Sequence, residues 1–110
     1  MTFLSANDEQ VAAERRLQAS VDEMIGTLRL GPGMNERIFT ELRDSLIEFG
    51  RVWQGEEILP KSAVNILVGL FSWIDSASHL YSGDEAARIR QVAREVDMLI
   101  FQYIVPASRR

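Results

Sequence analysis

The segment from Ala63 to Tyr81 predicts a helix that carries large apolar residues on nearly every side. A helix on the surface of a small domain normally has one apolar stripe and one polar face. A helix without a polar face is either enclosed by other helices or presents a second apolar face to a partner. We therefore expect this helix to be the central member of a helical fold. Its large apolar residues are Val64, Ile66, Leu67, Val68, Leu70, Phe71, Trp73, Ile74, Leu80 and Tyr81.

The rest of the chain supplies three more helices with apolar residues at helical spacing. The four predicted helices cover about residues 6–30, 35–54, 60–81 and 83–105, and residues 106–110 form a tail. Glycine and proline at 31–33 and proline at 106 are helix-stop signals, and no alternating strand pattern competes. Short connections favour antiparallel neighbours. The predicted fold is an all-α, antiparallel four-helix bundle of one domain, residues 1–110, with helix 3 central.

Capping residues mark the predicted helix starts. Ser5, Asn7 and Asp8 are candidates for the first N-cap, because their side-chain oxygens can accept a hydrogen bond from the first turn. Ser82 followed by Glu85 has the capping-box pattern. Pro60 suits the first position of the third helix.

Composition excludes several classes of protein. The 110-residue chain has no cysteine, so disulfides and thiolate sites are absent, and its net charge of −4 lacks a nucleic-acid footprint. Residues 1–5 do not resemble a signal peptide, and the uncharged run 62–74 is shorter than the roughly 20 residues that span a membrane. We expect no membrane association and a soluble, cytoplasmic protein. All basic residues except Lys61 are arginine, which hints at a bacterial or phage origin.

The single histidine offers the one candidate for acid–base chemistry. Asp75 lies four residues before His79, on the same face of the predicted helix. Asp75 could orient His79 as a general base, but a helix-end ion pair is the favoured interpretation, because no nucleophile is tied to the pair. Ser76 stands where a di-iron site would need glutamate. We predict no catalytic, cofactor-binding or metal-binding residue, no cofactor, and no enzyme activity.

One narrow stripe of the third helix is small or polar. It is either a seam for close approach of another helix or the solvent edge, and the sequence leaves both open. The stripe consists of Asn65, Gly69, Ser72, Ser76 and His79.

A helix-turn-helix regulator is a further alternative, with Gly55–Leu59 as its turn. The helix that would enter DNA is apolar where polar side chains should reach base edges. Arg88, Arg90 and Arg94 form a modest basic patch on the fourth helix, but such residues usually pair with acids, here Arg94 with Asp97. We expect no nucleic-acid partner.

Two short motifs resemble those of the WXG100 family of small secreted helical hairpins. Trp53-Gln54-Gly55 is similar to the W-x-G turn of that family, and Tyr81 to Glu85 fits its Y-x-x-x-[D/E] secretion signal. The resemblance implies two long helices with Trp53 at the bend. The chain departs from the family where Gly31-Pro32-Gly33 interrupts the first helix and where Tyr81 precedes another helix.

The favoured function is a non-enzymatic protein-interaction module of the adaptor, immunity or inhibitor type. Helix 3 and the end of helix 4 carry more large apolar residues than one four-helix core easily encloses, and an exposed apolar patch marks an interaction site. The partner is another protein or a second copy in a homodimer. No role is predicted for Arg109 and Arg110. The predicted partner-binding residues are Phe71, Trp73, Met98, Phe101 and Val105.

Overall fold

A computed structural model describes residues 7–104 and contains four α-helices. They are α1 (Asp8–Leu30), α2 (Glu36–Val52), α3 (Lys61–Ala77) and α4 (Gly83–Tyr103), with a 3-10 turn (Ser78–Leu80) after α3. Residues 7–104 contain no strand. The predicted all-α four-helix bundle is confirmed.

The start of α1 follows the capping prediction. Asn7 is the N-cap: its Oδ1 accepts from the Gln10 backbone N–H at 2.7 Å, and the Gln10 side chain accepts from the Asn7 backbone N–H at 3.1 Å. Two of the backbone N–H groups that lack an intrahelical partner at this helix start are thereby satisfied. The amide Nε2 of Gln10 also donates to the carbonyl of Val52 at 3.1 Å, which fixes the start of α1 against the end of α2.

The capping box predicted at the start of α4 is wrong. Ser82 is the N-cap residue, but its side chain caps no backbone group. Glu85 instead accepts from the backbone N–H of Met34, in the α1–α2 turn, at 2.9 Å. Gly33 makes this approach possible, because a Cβ there would collide with the Glu85 carboxylate. Pro60 is the N-cap of α3 and not its first helical residue.

Successive helices form two hairpins, α1–α2 and α3–α4, each with its helices in opposite directions. In the first hairpin, Arg51 at the end of α2 pairs with Glu9 at the start of α1, at 2.8 Å. In the second, Val64 near the start of α3 and Phe101 near the end of α4 line the same surface groove.

The two hairpins pack side by side with neighbouring helices running in the same direction. The pairs in contact are α1 with α3 and α2 with α4. Glu36 and Arg88, both near helix starts, pair at 2.7 Å, and Gly50 and Tyr103 meet at the other end of α2 and α4. The hydroxyl of Tyr81, just after α3, donates to the backbone carbonyl of Leu28, near the end of α1. A wholly antiparallel bundle is therefore not confirmed.

One apolar core joins all four helices. Its fully buried members include Leu17, Met24 and Leu28 from α1, Leu42, Leu46 and Phe49 from α2, Leu70 and Ile74 from α3, and Ile89, Val92 and Val96 from α4.

The third helix has one buried face and one exposed face. Ala63, Ile66 and Leu70 belong to the buried face, whereas the Val68 side chain is 78% exposed. The helix has α1 and α4 as its main neighbours, and each of the other helices likewise has two. The central position predicted for helix 3 is not confirmed.

Candidate protein-binding groove

An apolar groove of about 430 Å³ lies where α3, the end of α4 and the α2–α3 connection meet. Residues from both hairpins form it, because the connection brings the chain from α2 across to α3. The lining residues are Gly50, Trp53, Glu56, Glu57, Leu59, Val64, Leu67, Val68, Asp97, Ile100, Phe101 and Ile104.

Trp53, one of the lining residues, carries a buried hydrogen-bond donor that has no partner among the described residues. The residue is the C-cap of α2, its ring stacks on Phe49 with centroids 5.8 Å apart, and it is nine-tenths buried. Among residues 7–104, the indole Nε1 is the one buried side-chain nitrogen or oxygen without a hydrogen-bond partner. A buried donor without an acceptor costs about 1–3 kcal/mol.

Three carboxylates give the groove lining a negative charge. Glu56 and Glu57 come from the α2–α3 connection and Asp97 from α4, and no basic residue is among the lining residues of the described chain. Within residues 7–104, none of the three forms an ion pair. Arg94 lies one turn before Asp97, but the predicted pair between them does not form. Among the described residues, the three carboxylates therefore have no neutralising partner.

Exposed apolar side chains continue from the groove onto the surface. Val68 is 78% exposed, Met98 64% and Phe101 59%. Met98 and Phe101 are three residues apart on α4 and therefore neighbours. Val64 extends the same surface on α3 and is 39% exposed. We call Val64, Val68, Met98 and Phe101 the α3–α4 surface.

The structure separates the five residues predicted to bind a partner. Met98 and Phe101 lie together on the α3–α4 surface. Phe71 is half-buried and packs against the core. Trp73 lies about 140° around α3 from Val68, so it faces a different side of the bundle. Val105 lies outside the described residues.

Sequence reasoning missed most of the groove. Trp53 fits the apolar stripe of α2, and that stripe predicts only a core position. Glu56 and Glu57 carry no periodic signal, because they belong to a connection. The sequence predicts an enclosed helix around Val68 and therefore no exposed position for it. One sequence feature could have indicated the groove: Trp53 is followed closely by Glu56 and Glu57, just before a helix with surplus apolar residues.

The residues considered for acid–base chemistry are separate. Asp75 and His79 form no ion pair, because the helix tightens into a 3-10 turn at Ser78 and loses the four-residue spacing. The hydroxyl of Ser78 donates to the backbone carbonyl of Asp75 at 2.6 Å. The part of the chain that the structure describes holds no cluster of residues suited to a metal ion.

The polar stripe of α3 lies at the solvent edge. Asn65, Ser72, Ser76 and His79 are exposed, and the Trp73 ring covers Gly69.

The arginines proposed for DNA contact are not all available. The Arg88 guanidinium pairs with Glu36 at 2.7 Å and with Glu95 at 3.0 Å, and lies 5.4 Å from the ring centre of Phe39. These contacts join α2 to α4 and neutralise Arg88, which counts against a DNA-binding patch.

Compared with protein-family models, with curated proteins and with solved structures, the chain matches none of them. The four helices of residues 7–104 count against the two-helix hairpin implied by the WXG100 resemblance, and Trp53 lines the groove. No helix in the described part of the chain is long and apolar enough to cross a membrane.

Proposed function

We propose that this protein is a non-enzymatic interaction module that binds a protein segment through the groove and the α3–α4 surface. The observation that carries the proposal is the exposure of Val68, Met98 and Phe101 beside an apolar groove. Aromatic and methionine side chains are typical anchors of protein interfaces, and water-exposed apolar surface gains free energy when a partner covers it. A bacterial or phage origin and a cytoplasmic location belong to the same proposal.

The experiment compares two glutamate substitutions. Phe101→Glu places a charge in the α3–α4 surface, and Leu30→Glu is the matched control. Leu30 is 91% exposed and lies at the opposite end of the bundle, at the end of α1. Circular dichroism verifies that both variants keep their helices.

Binding is then measured in two ways, by light scattering over a concentration range and by capture of partners from a lysate of the source organism. We expect Phe101→Glu to abolish self-association or specific capture and Leu30→Glu to preserve it. Equal behaviour of both folded variants and the unmodified chain in both assays would remove the α3–α4 surface as a binding site. Unfolding of Phe101→Glu would assign Phe101 to the core, and Val68→Glu then repeats the test.

A further inference from the structure

We propose that the groove binds a basic amphipathic segment of another protein, whose apolar side chains enter the groove and whose lysines or arginines face Glu56, Glu57 and Asp97. This inference rests on the proposed function and adds the chemistry of the partner. It depends on the charge of the described lining residues.

Charge selects a basic partner. Seven acidic residues of the described chain have ion-pair partners elsewhere on the surface, but the three in the groove have none among residues 7–104. An apolar segment flanked by acidic residues would bring like charges together, which costs free energy. A basic segment is attracted by the same carboxylates, and the attraction also raises its association rate.

The same charges disfavour a second copy of this chain as the occupant. In a two-fold symmetric dimer the same surface is present on both subunits. A dimer centred on the groove would therefore place Glu56, Glu57 and Asp97 of one copy near the same carboxylates of the other. Among the described lining residues, none is basic and none offsets that repulsion.

Trp53 supplies a reporter of occupancy. Its side chain is part of the groove lining, and its indole N–H has no hydrogen-bond partner among residues 7–104. A segment that enters the groove changes the surroundings of this indole. The indole N–H is consequently a reporter of occupancy at a defined atom.

The test follows that N–H by nuclear magnetic resonance. Only two tryptophans are present, so Trp73→Phe assigns the Trp53 indole signal. The probes are three peptides of about five helical turns. The first has leucine at helical spacing with lysine on the polar face, the second has glutamate in place of lysine, and the third is the first in scrambled order.

We expect the leucine–lysine peptide to move the Trp53 signal and to bind roughly tenfold or more tightly than the leucine–glutamate peptide at low salt. The preference should shrink at about 1 M salt, where charges are screened beyond about 3 Å. Glu56→Gln/Glu57→Gln should weaken lysine-peptide binding roughly fivefold. The matched control is Asp22→Asn/Asp84→Asn, which makes the same charge change away from the groove and should bind as the unmodified chain does.

Each other outcome has a definite meaning. Equal affinity for the lysine and glutamate peptides would overturn the basic partner and leave the proposed apolar surface intact. Binding of the scrambled peptide as tightly as the amphipathic one would also overturn it. A Trp53 signal that shifts with protein concentration alone identifies a second copy as the occupant. A signal that shifts when residues 105–110 are deleted identifies the end of this chain, and both results overturn the proposal.

Discussion

The Glu85 carboxylate, in the first turn of α4, accepts a hydrogen bond from the backbone N–H of Met34 at 2.9 Å, across 51 positions of sequence. This contact fixes the α1–α2 turn against the start of the second hairpin. Tyr81 reinforces it by donating to the carbonyl of Leu28 at 2.6 Å. The end of the bundle opposite the groove is therefore held by two side chains that bond to backbone groups.

Glu85→Ala should lower the free energy of unfolding by about 1–2 kcal/mol, because it leaves the Met34 N–H without an acceptor. Glu85→Gln keeps a carbonyl oxygen at the same place and should cost less. Asp84→Ala, one residue away and exposed, is the control for the loss of a first-turn acid. Urea denaturation compares the three, and equal losses for Glu85→Ala and Asp84→Ala would show that the bond to Met34 adds nothing.

Gly50→Ala should destabilise the protein by about 1–3 kcal/mol. A Cβ at Gly50 would lie 2.5 Å from the backbone carbonyl oxygen of Tyr103, so α2 and α4 would have to separate. Gly26→Ala is the opposite case. Apart from the adjoining backbone of α1, no atom lies within 4 Å of a Cβ there, and alanine in a helix should stabilise by about 1 kcal/mol. Thermal unfolding should show a lower melting temperature for Gly50→Ala and a higher one for Gly26→Ala. A higher melting temperature for both variants would contradict the close approach of α2 and α4 at Gly50.

Tyr81→Phe removes the hydroxyl that bonds to Leu28 and keeps the ring. The free energy of unfolding of this variant should be about 0.5–1.5 kcal/mol lower than that of the unmodified chain, because the Leu28 carbonyl loses its donor. Tyr103→Phe is a suitable comparison, since the Tyr103 side chain is 39% exposed. If Tyr103→Phe lowered the free energy of unfolding more than Tyr81→Phe does, the hydrogen bond from Tyr81 to Leu28 would not be the stabilising contact that we predict.

Acid should weaken the contact between α2 and α4. The hydrogen bond from Arg88 lowers the pKa of Glu36 below 4.5, against the opposing effect of desolvation and with help from the Arg88 charge. Because the folded-state pKa is the lower one, the stabilisation is complete above about pH 4.5 and is lost as the pH falls through the folded-state value. Glu36 is largely exposed, so the effect should stay below about 1 kcal/mol.

The measurement is the difference in unfolding free energy between the unmodified chain and Glu36→Gln, from neutral to acidic pH. It should be positive at pH 7 and shrink toward zero in acid. In an Arg88→Met background, Glu36→Gln should have no pH-dependent effect. A difference that persists in acid would assign the stabilisation to packing and not to the charge of Glu36.

Local patterns predicted the helices well but predicted their arrangement poorly. The stripe of α2 and the cap at Asn7 depend on neighbours within a few residues, and the structure contains both. Short loops indicate only that consecutive helices pack against each other in opposite directions. No sequence pattern predicted how the two hairpins pack side by side. The Glu85 carboxylate could accept a hydrogen bond from the backbone N–H of Ser82, as in a capping box, or from a group elsewhere in the fold. It accepts from Met34, and that choice depends on a tertiary contact. The groove could not be predicted for the same reason, because Trp53, Val68 and Phe101 meet only in the folded chain.

The packing of α4 against α2 has a consequence for how the protein reaches its native state during synthesis. The ribosome releases α1 and α2 before the helices that cover them. Until α3 and α4 emerge, the first hairpin exposes to water the side of Phe49 and Leu46 that later becomes core. Burial of that side requires contacts between residues about fifty positions apart, which form slowly compared with those within a hairpin. A nascent chain halted after α2 should therefore be a target for chaperones and proteases, whereas one that includes α4 should resist both.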